Sequence, residues 1–550
     1  MKTKKAMKKI THIGMAALVA MGVLGSSCNK AESPEIETPE TQKENIVTLT
    51  TTVGFAADDT KALTGAGVKT FAEGEKMVLR YKNTKGDWVK AVSNALEVGD
   101  IADGSKSATF TFTLINPDKT KNVDYIYPAA IVNELGNMDE AALFGSQDGT
   151  LNKIASTFDY SRKIGAWDGE NLPSLTLENQ LAILAITLKN ADGSSDITSS
   201  ITGLTLSDGT KTYNVTPSAA EGPIYVAIFP TEDATITVAA TDGSKNYAKT
   251  LTGKTYAKGN GYPVSWKMAK VISLSGRYPG DDELVIADGC ILTGYAVGSS
   301  CKVSIADGAT VTLRDVENNG KIVDHGTILE CRPGIKCLGD ATIILEGNNT
   351  VTGGDQYAGI YVPGDKTLTI RGTGSLNVTG GSSAAGIGGN ATGDANCGSI
   401  VISGGTVKAT GGSGGAGIGL GANGGGCKAI TISGGTVTAT GGSGGAGIGL
   451  GTSWGGCKAI TISGGTVTAK GSENAPGIGG VEGVYESITI TGDVTKVTAT
   501  KGPLAQYSIG IEDDYSWEDC GPITIGGTVY FDEGNFTNND LMTSSFVYQP

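Results

Sequence analysis

The sequence predicts an all-β chain in two parts, an N-terminal β-sandwich followed by a right-handed parallel β-helix. Three observations lead there. First, 84 of the 550 residues are glycine, about twice ordinary usage, without the three-residue period of collagen. Second, residues 403–421 read SGGTVKATGGSGGAGIGLG and residues 433–451 read SGGTVTATGGSGGAGIGLG, differing only at Lys408 against Thr438, and SGGTVTAKGSENAPGIGG follows from 463, so the period is 30. Third, the region before the repeats consists of short alternating apolar and polar runs between turn signals, with no amphipathic helix among them. A content of 39% hydrophobic and 18% charged residues is enough to bury a core.

The chain opens with a leader over 1–27. Lys2, Lys4, Lys5, Lys8 and Lys9 form a basic start, and Ile13 to Leu24 is an apolar stretch too short to span a bilayer. Leu24-Gly25-Ser26-Ser27-Cys28 then places small residues ahead of a cysteine. This resembles a bacterial lipobox, which implies lipid attachment at Cys28 and an outer-membrane, surface-exposed location. No later stretch reaches eighteen apolar residues. Residues 28–45, rich in Glu, Pro and Thr, read as a flexible tether. Removing the leader leaves 37 basic against 56 acidic residues, a balance of −19. That charge disfavours nucleic acid as a partner. The two histidines, His12 and His325, exclude a histidine-rich metal site.

Residues 46–268 carry the strand runs Val47 to Phe55, Met77 to Tyr81, Ala108 to Leu114, Leu181 to Leu188, Ile224 to Phe229 and Ala234 to Ala239. Asp-Gly pairs at 103–104, 192–193, 208–209 and 242–243 mark turns between them. Half-buried antiparallel strands of this kind pack as a sandwich. Trp88, Trp167 and Trp266 are expected in the core. The lipobox, the early strand, Tyr125-Ile126-Tyr127-Pro128, Asn179-Gln180-Leu181-Ala182 and the closing Lys254-Thr255-Tyr256-Ala257-Lys258-Gly259-Asn260-Gly261-Tyr262-Pro263-Val264 resemble fimbrillin-like domains of Gram-negative anaerobes. The resemblance covers roughly this whole region. It implies a pilus subunit, a tip component or a stand-alone surface lipoprotein. A large second domain follows where a shaft pilin has its polymerising tail, which argues against a shaft role.

Residues 271–545 are expected to wind as the β-helix. In the copy from 427, Ile430, Ile432, Val437, Ala439, Ala446, Ile448 and Leu450 point inward, while Thr431, Thr436, Thr438, Thr440, Gly447 and Gly449 point outward. Glycine doublets supply the corners. Stacked coils, ~4.8 Å apart, then form an isoleucine ladder through Ile387, Ile418, Ile448, Ile478 and Ile509. A valine ladder runs through Val407, Val437, Val467 and Val497. Val285-Ile286-Ala287-Asp288-Gly289 and Ser304-Ile305-Ala306-Asp307-Gly308 lie 19 apart and predict smaller early coils. A β-propeller blade needs about 40 residues and four strands, which the period does not supply. The open ends are expected to be covered by the sandwich and by 531–550.

Cys397, Cys427 and Cys457 are 30 apart, and Cys520 takes the same slot, three residues before an isoleucine; Tyr485 takes it in the intervening coil. A buried thiol ladder is the expectation. Other pairings of Cys290, Cys301, Cys331 and Cys337 stay open.

The turn ahead of this slot recurs as a loop edge. It holds Asp394, Trp454, Glu482 and the stretch Glu512 to Asp519. In-register coils would line up Trp454, Tyr515 and Trp517, with Tyr485 close by and Asp513 and Asp514 among them. Such rings suit stacking on sugar, and the carboxylates suit sugar hydroxyls or Ca²⁺, the one cofactor considered. The repeats also resemble glycine-rich β-helix repeats of bacterial surface proteins labelled carbohydrate-binding. The expected function is therefore a non-catalytic, adhesin-like surface lipoprotein that binds glycan or a host surface through this edge. One alternative is a fimbrial tip or accessory subunit that contacts fimbrial subunits, which co-purification would reveal. The other is a polysaccharide lyase or hydrolase. Asp281-Asp282 and Asp324-His325-Gly326 lack the rest of a hydrolase set, and Arg277, Arg314, Arg332 and Arg371 lie outside the strong repeats. Outward threonine rows at 436–440 and 466–468 resemble an ice-binding face but are short and broken by Lys408 and Lys470; β-propensity accounts for them.

Overall fold

The structure is a computed structural model. It describes residues 44–550 except 56–69, 103, 134–135, 137–146, 159, 219–221, 277–281, 296–300, 325–326, 393–394, 453, 513–518, 533–534 and 538. The leader and Cys28 lie outside the described residues.

Every strand run read from 46–268 is a strand. Around 46–179, Ile46–Phe55, Val78–Lys82, Trp88–Val92, Ile101–Ala102, Ser107–Ile115, Val123–Tyr127, Ser161–Gly165 and Leu175–Asn179 form one eight-stranded sheet. Its inward positions gather Val53, Leu79, Phe110, Phe112, Leu114, Tyr125 and Leu177 into a core of its own. The expected two-sheet packing appears over 182–268. There Ala182–Lys189, Ile224–Ile228 and Gly261–Lys267 form a three-stranded sheet. Across a second core lie Gly203–Ser207, Thr212–Val215, Thr231–Thr241 and Asn246–Tyr256. So this region holds two main cores, joined by a smaller cluster around Ile126, Ile154 and Phe158. Alternation along a strand shows which side is buried but not which sheet the strand joins.

Three details depart from expectation. Among the described residues an α-helix, Leu151–Thr157, is present, its first turn capped by the Thr150 hydroxyl, which accepts from the Lys153 amide. Trp266 is core, but Trp88 is 51% exposed on an edge strand. It is flanked by the Arg80 guanidinium at 5.1 Å and the Lys82 ammonium at 4.9 Å, which favours the ring's electron-rich face remaining outside the core. Trp167 is half-buried against the first core, with Lys119 at 5.6 Å from its ring.

The C-terminal region is a β-solenoid with three faces. Strand Ala269–Ser273 joins it to the sandwich, pairing antiparallel with Asn246–Tyr256 and parallel with Ile291–Tyr295. The first coils are offset by 19 residues, with Val285 against Ser304 and Ile286 against Ile305. Asp288, Asp307 and Asp340 tie successive coils by accepting from the amides of Thr310, Asp340 and Thr367 at 2.7, 2.8 and 2.7 Å. From 397 the winding is regular. The first face holds Cys397–Ile402 and residues 427–432 and 457–462, the second holds Thr406–Thr410 and residues 436–440 and 466–470, and the third holds Ile418–Gly419 and Ile448–Gly449.

Both ladders are in register. Ile387 pairs with Ile418, Ile418 with Ile448, Ile448 with Ile478 and Ile478 with Ile509. Val407 pairs with Val437, Val437 with Val467 and Val467 with Val497. All are buried, each contributing roughly 1.5–3 kcal/mol relative to exposure. The last coil is closed by antiparallel strands Thr528–Asp532 and Ser545–Tyr548, with Phe531, Leu541 and Phe546 buried over the core.

The third face corrects one expectation, because Gly447 and Gly449 are buried rather than outward. The Ala446 amide bonds the Leu450 carbonyl at 3.1 Å and curls the chain tightly around Ile448. The Thr452 amide then bonds the Gly414 carbonyl at 3.0 Å, folding the following loop back over the face. Gly449 makes the curl with φ at +130°, and a Cβ there would sit 2.1 Å from the Gly479 carbonyl oxygen. Only glycine meets both demands.

Candidate functional site

The loop edge leads into the first face through the slot at Cys397, Cys427, Cys457 and Tyr485. Cys397 pairs with Cys427, Cys427 with Cys457 and Cys457 with Tyr485. These side chains are buried and the thiols are free, as the thiol-ladder expectation has it. The Cys427 thiol is pushed well above its ordinary range by its hydrogen bond with Cys397, and burial adds to this. Cys457 is pushed the same way by Cys427 and by burial. These thiols are therefore neutral and poor nucleophiles.

Immediately after the slot the chain points outward. Lys428, Lys458 and Glu486 occupy equivalent positions on successive coils. Together with Asp365, Asn396 and Asp519 they border a groove of about 580 Å³, to which the backbones of Gly364, Gly426 and Gly456 also contribute. The groove thus crosses successive coils. Lys428 Nζ donates to the Asp365 carbonyl oxygen at 3.2 Å. Lys458 Nζ lies 3.8 Å from Glu486 Oε1, with both side chains mostly exposed, so this pair holds the groove only weakly. The Asn396 side-chain oxygen accepts from the Gly426 amide at 2.8 Å and fixes one coil on the next. Asp365 is held below the usual carboxylate range by its hydrogen bond with Lys366.

Of the aromatic row, Trp454 is 61% exposed, two residues before Gly456 of the groove. Its backbone stacks over Gly424, where an added Cβ would meet the Trp454 carbonyl oxygen at 2.4 Å. Tyr485 lines the groove floor, but it is 1% exposed and packs in the solenoid core, so it is not an open ring beside Trp454. Its hydroxyl is buried without a hydrogen-bond partner, and burial pushes its pKa well up. Asp513, Asp514, Tyr515, Trp517 and Asp394 lie outside the described residues. Among the described residues no group of three His, Cys, Asp or Glu side chains could hold a metal ion.

The sequence reading missed Lys428, Lys458 and Glu486. A signal was present, since a charged residue follows the slot at 428, 458 and 486. Of the residues weighed for catalysis, Arg314 pairs with Glu346 at 2.6 Å and Arg332 with Glu330. Asp281 and His325 lie outside the described residues.

A β-helix repeat family model matches residues 400–422, 430–452 and 460–483, the strong repeats themselves. Among solved structures, the chain is similar to a fimbrial assembly protein from Parabacteroides distasonis, at 12% identity and a TM-score of 0.25, over 40% of this chain and 92% of that one. It is also similar to a protein from Bacteroides fragilis described as a cell adhesion protein, at 11% identity and a TM-score of 0.23, over the same shares. No curated protein matches the chain.

Proposed function

We propose that the protein is a lipid-anchored cell-surface protein that binds glycan, without catalysing its breakdown, along the loop edge and groove of its solenoid. The observation that carries this reading is the groove itself. Its size lies in the range of ligand sites, and its length follows the stacking axis, as an extended sugar chain requires. Lys428, Lys458 and Asn396 donate, and Asp365, Glu486 and Asp519 accept, so each kind of sugar hydroxyl contact has a partner. Trp454 adds an exposed ring suited to the apolar face of a sugar. The anchor rests on the leader and on Cys28.

A glycan array probed with the wild type, Trp454→Ala and the double variant Lys428→Ala/Lys458→Ala tests the reading. The wild type is expected to retain a defined set of glycans that both variants lose or bind weakly. Equal binding by all three removes the edge as the site.

A further inference from the structure

We propose that the outward side of the solenoid's second face is a separate docking surface for an acidic polysaccharide, one bearing uronate or sulfate groups. The face is built from Ser375–Thr379, Thr406–Thr410, residues 436–440, residues 466–470 and Lys496–Thr500, each paired residue for residue with the next. Strand alternation sends every second residue out, giving three columns. They run Ser375, Thr406, Thr436, Thr466, Lys496, then Asn377, Lys408, Thr438, Thr468, Thr498, then Thr379, Thr410, Thr440, Lys470, Thr500. None of these positions is buried.

In a chain of net charge −14, these five coils of the face carry no carboxylate and three exposed lysines, Lys408, Lys470 and Lys496, while the exposed Glu317 lies in the Asn377 column two coils before Asn377. Glu473 and Asp493 sit in turns that flank it. The ion pairs among the described residues, Lys366 with Asp365 and Lys458 with Glu486 included, do not involve these three lysines. At physiological ionic strength the Debye length is about 8 Å, so a polymer lying on the face senses these lysines and the two flanking acids more strongly than the rest of the acidic surface.

Charge density selects the polymer. Lys408 and Lys470 are two coils apart and Lys470 and Lys496 one, each in a different column, so neighbouring cations stand about 12–14 Å apart across the face. Duplex DNA presents a charge about every 1.7 Å, far denser than this face can neutralise. An acidic polysaccharide, whose charges are sparser than those of DNA, fits, and the threonine hydroxyls between the lysines can bond its hydroxyl groups.

The test measures binding of the full-length protein to polygalacturonate, dextran sulfate, neutral dextran and duplex DNA, at low and at physiological salt. The wild type is expected to bind polygalacturonate, dextran sulfate or both, more weakly as salt rises, and to ignore dextran. Lys408→Thr/Lys470→Thr/Lys496→Thr is expected to lose about tenfold in affinity, with unchanged melting because threonine already fills these columns in neighbouring coils. The matching triple arginine variant is expected to keep binding. Binding of one anionic polymer alone identifies carboxylate or sulfate as the group read. Equal binding by wild type and the threonine variant, a preference for dextran or DNA, or loss of binding in the arginine variant overturns the proposal. Trp454→Ala leaves this binding unchanged if the two surfaces are separate, so failure here and failure of the groove are distinguishable.

Discussion

Tyr485 shows how far single residues could be read. Its place in the cysteine slot was visible from spacing, and the buried ladder expected there pointed it inward, against its expected place beside an open aromatic edge. The slot lies three residues before an inward isoleucine, and strict alternation would send it outward. The structure buries it with its hydroxyl unpaired, which costs about 1–3 kcal/mol. Tyr485→Phe is therefore expected to raise the urea midpoint, by roughly 1 kcal/mol in stability, and an unchanged or lower midpoint would show that the hydroxyl has a partner. Gly449 makes the opposite case. Gly449→Ala forces an alanine to φ +130° with its Cβ 2.1 Å from the Gly479 carbonyl oxygen, and is expected to cost about 3 kcal/mol or more. The outward Thr438→Ala is expected to stay within about 0.5 kcal/mol. Thiol chemistry adds a third check. Cys337, pushed up to about 12 by burial, and the hydrogen-bonded Cys427 are expected to resist iodoacetamide at pH 8 in the native protein and react in urea. The half-buried Cys331 is expected to react first. Rapid native labelling of Cys427 would contradict its burial.

At the scale of the element, the solenoid was the most legible part of the chain. A constant period forces like side chains over like, so Ile418 over Ile448 and Val437 over Val467 follow from counting. The covered third face did not follow, because glycine carries no side chain whose polarity reports exposure. In the first part, strand positions were legible, but the division between two cores was not, since sheet membership depends on pairings distant in sequence. The stacking account predicts that coils are interchangeable. Deleting residues 433–462 joins Ile432 to Ser463, which has the same place in the next coil. That variant is expected to keep its β-rich circular dichroism and to shorten by about 4.8 Å in solution scattering. Deleting 433–447 alone sets unlike faces over each other and is expected to unfold the array locally. Equal tolerance of both deletions would contradict register-dependent stacking.

Across the whole molecule, the same winding that builds the core repeats the surface, so any feature added to one coil is multiplied along an axis. The groove beside Lys428 and Lys458 and the lysine-bearing stretch of the second face both arise this way. The composition made nucleic acid an improbable partner, but net charge hid the uneven placement of the acids, which only the folded coils reveal. The exposed ring of Trp454 was legible as an edge residue; the groove beside it was not, because its borders come from residues on several coils. The most direct check of the recognition edge is amide hydrogen exchange with and without a glycan selected by the array. Protection concentrated at residues 424–428, 454–458 and 484–486 is the predicted result. Protection confined to 46–268, with these segments unchanged, would contradict it.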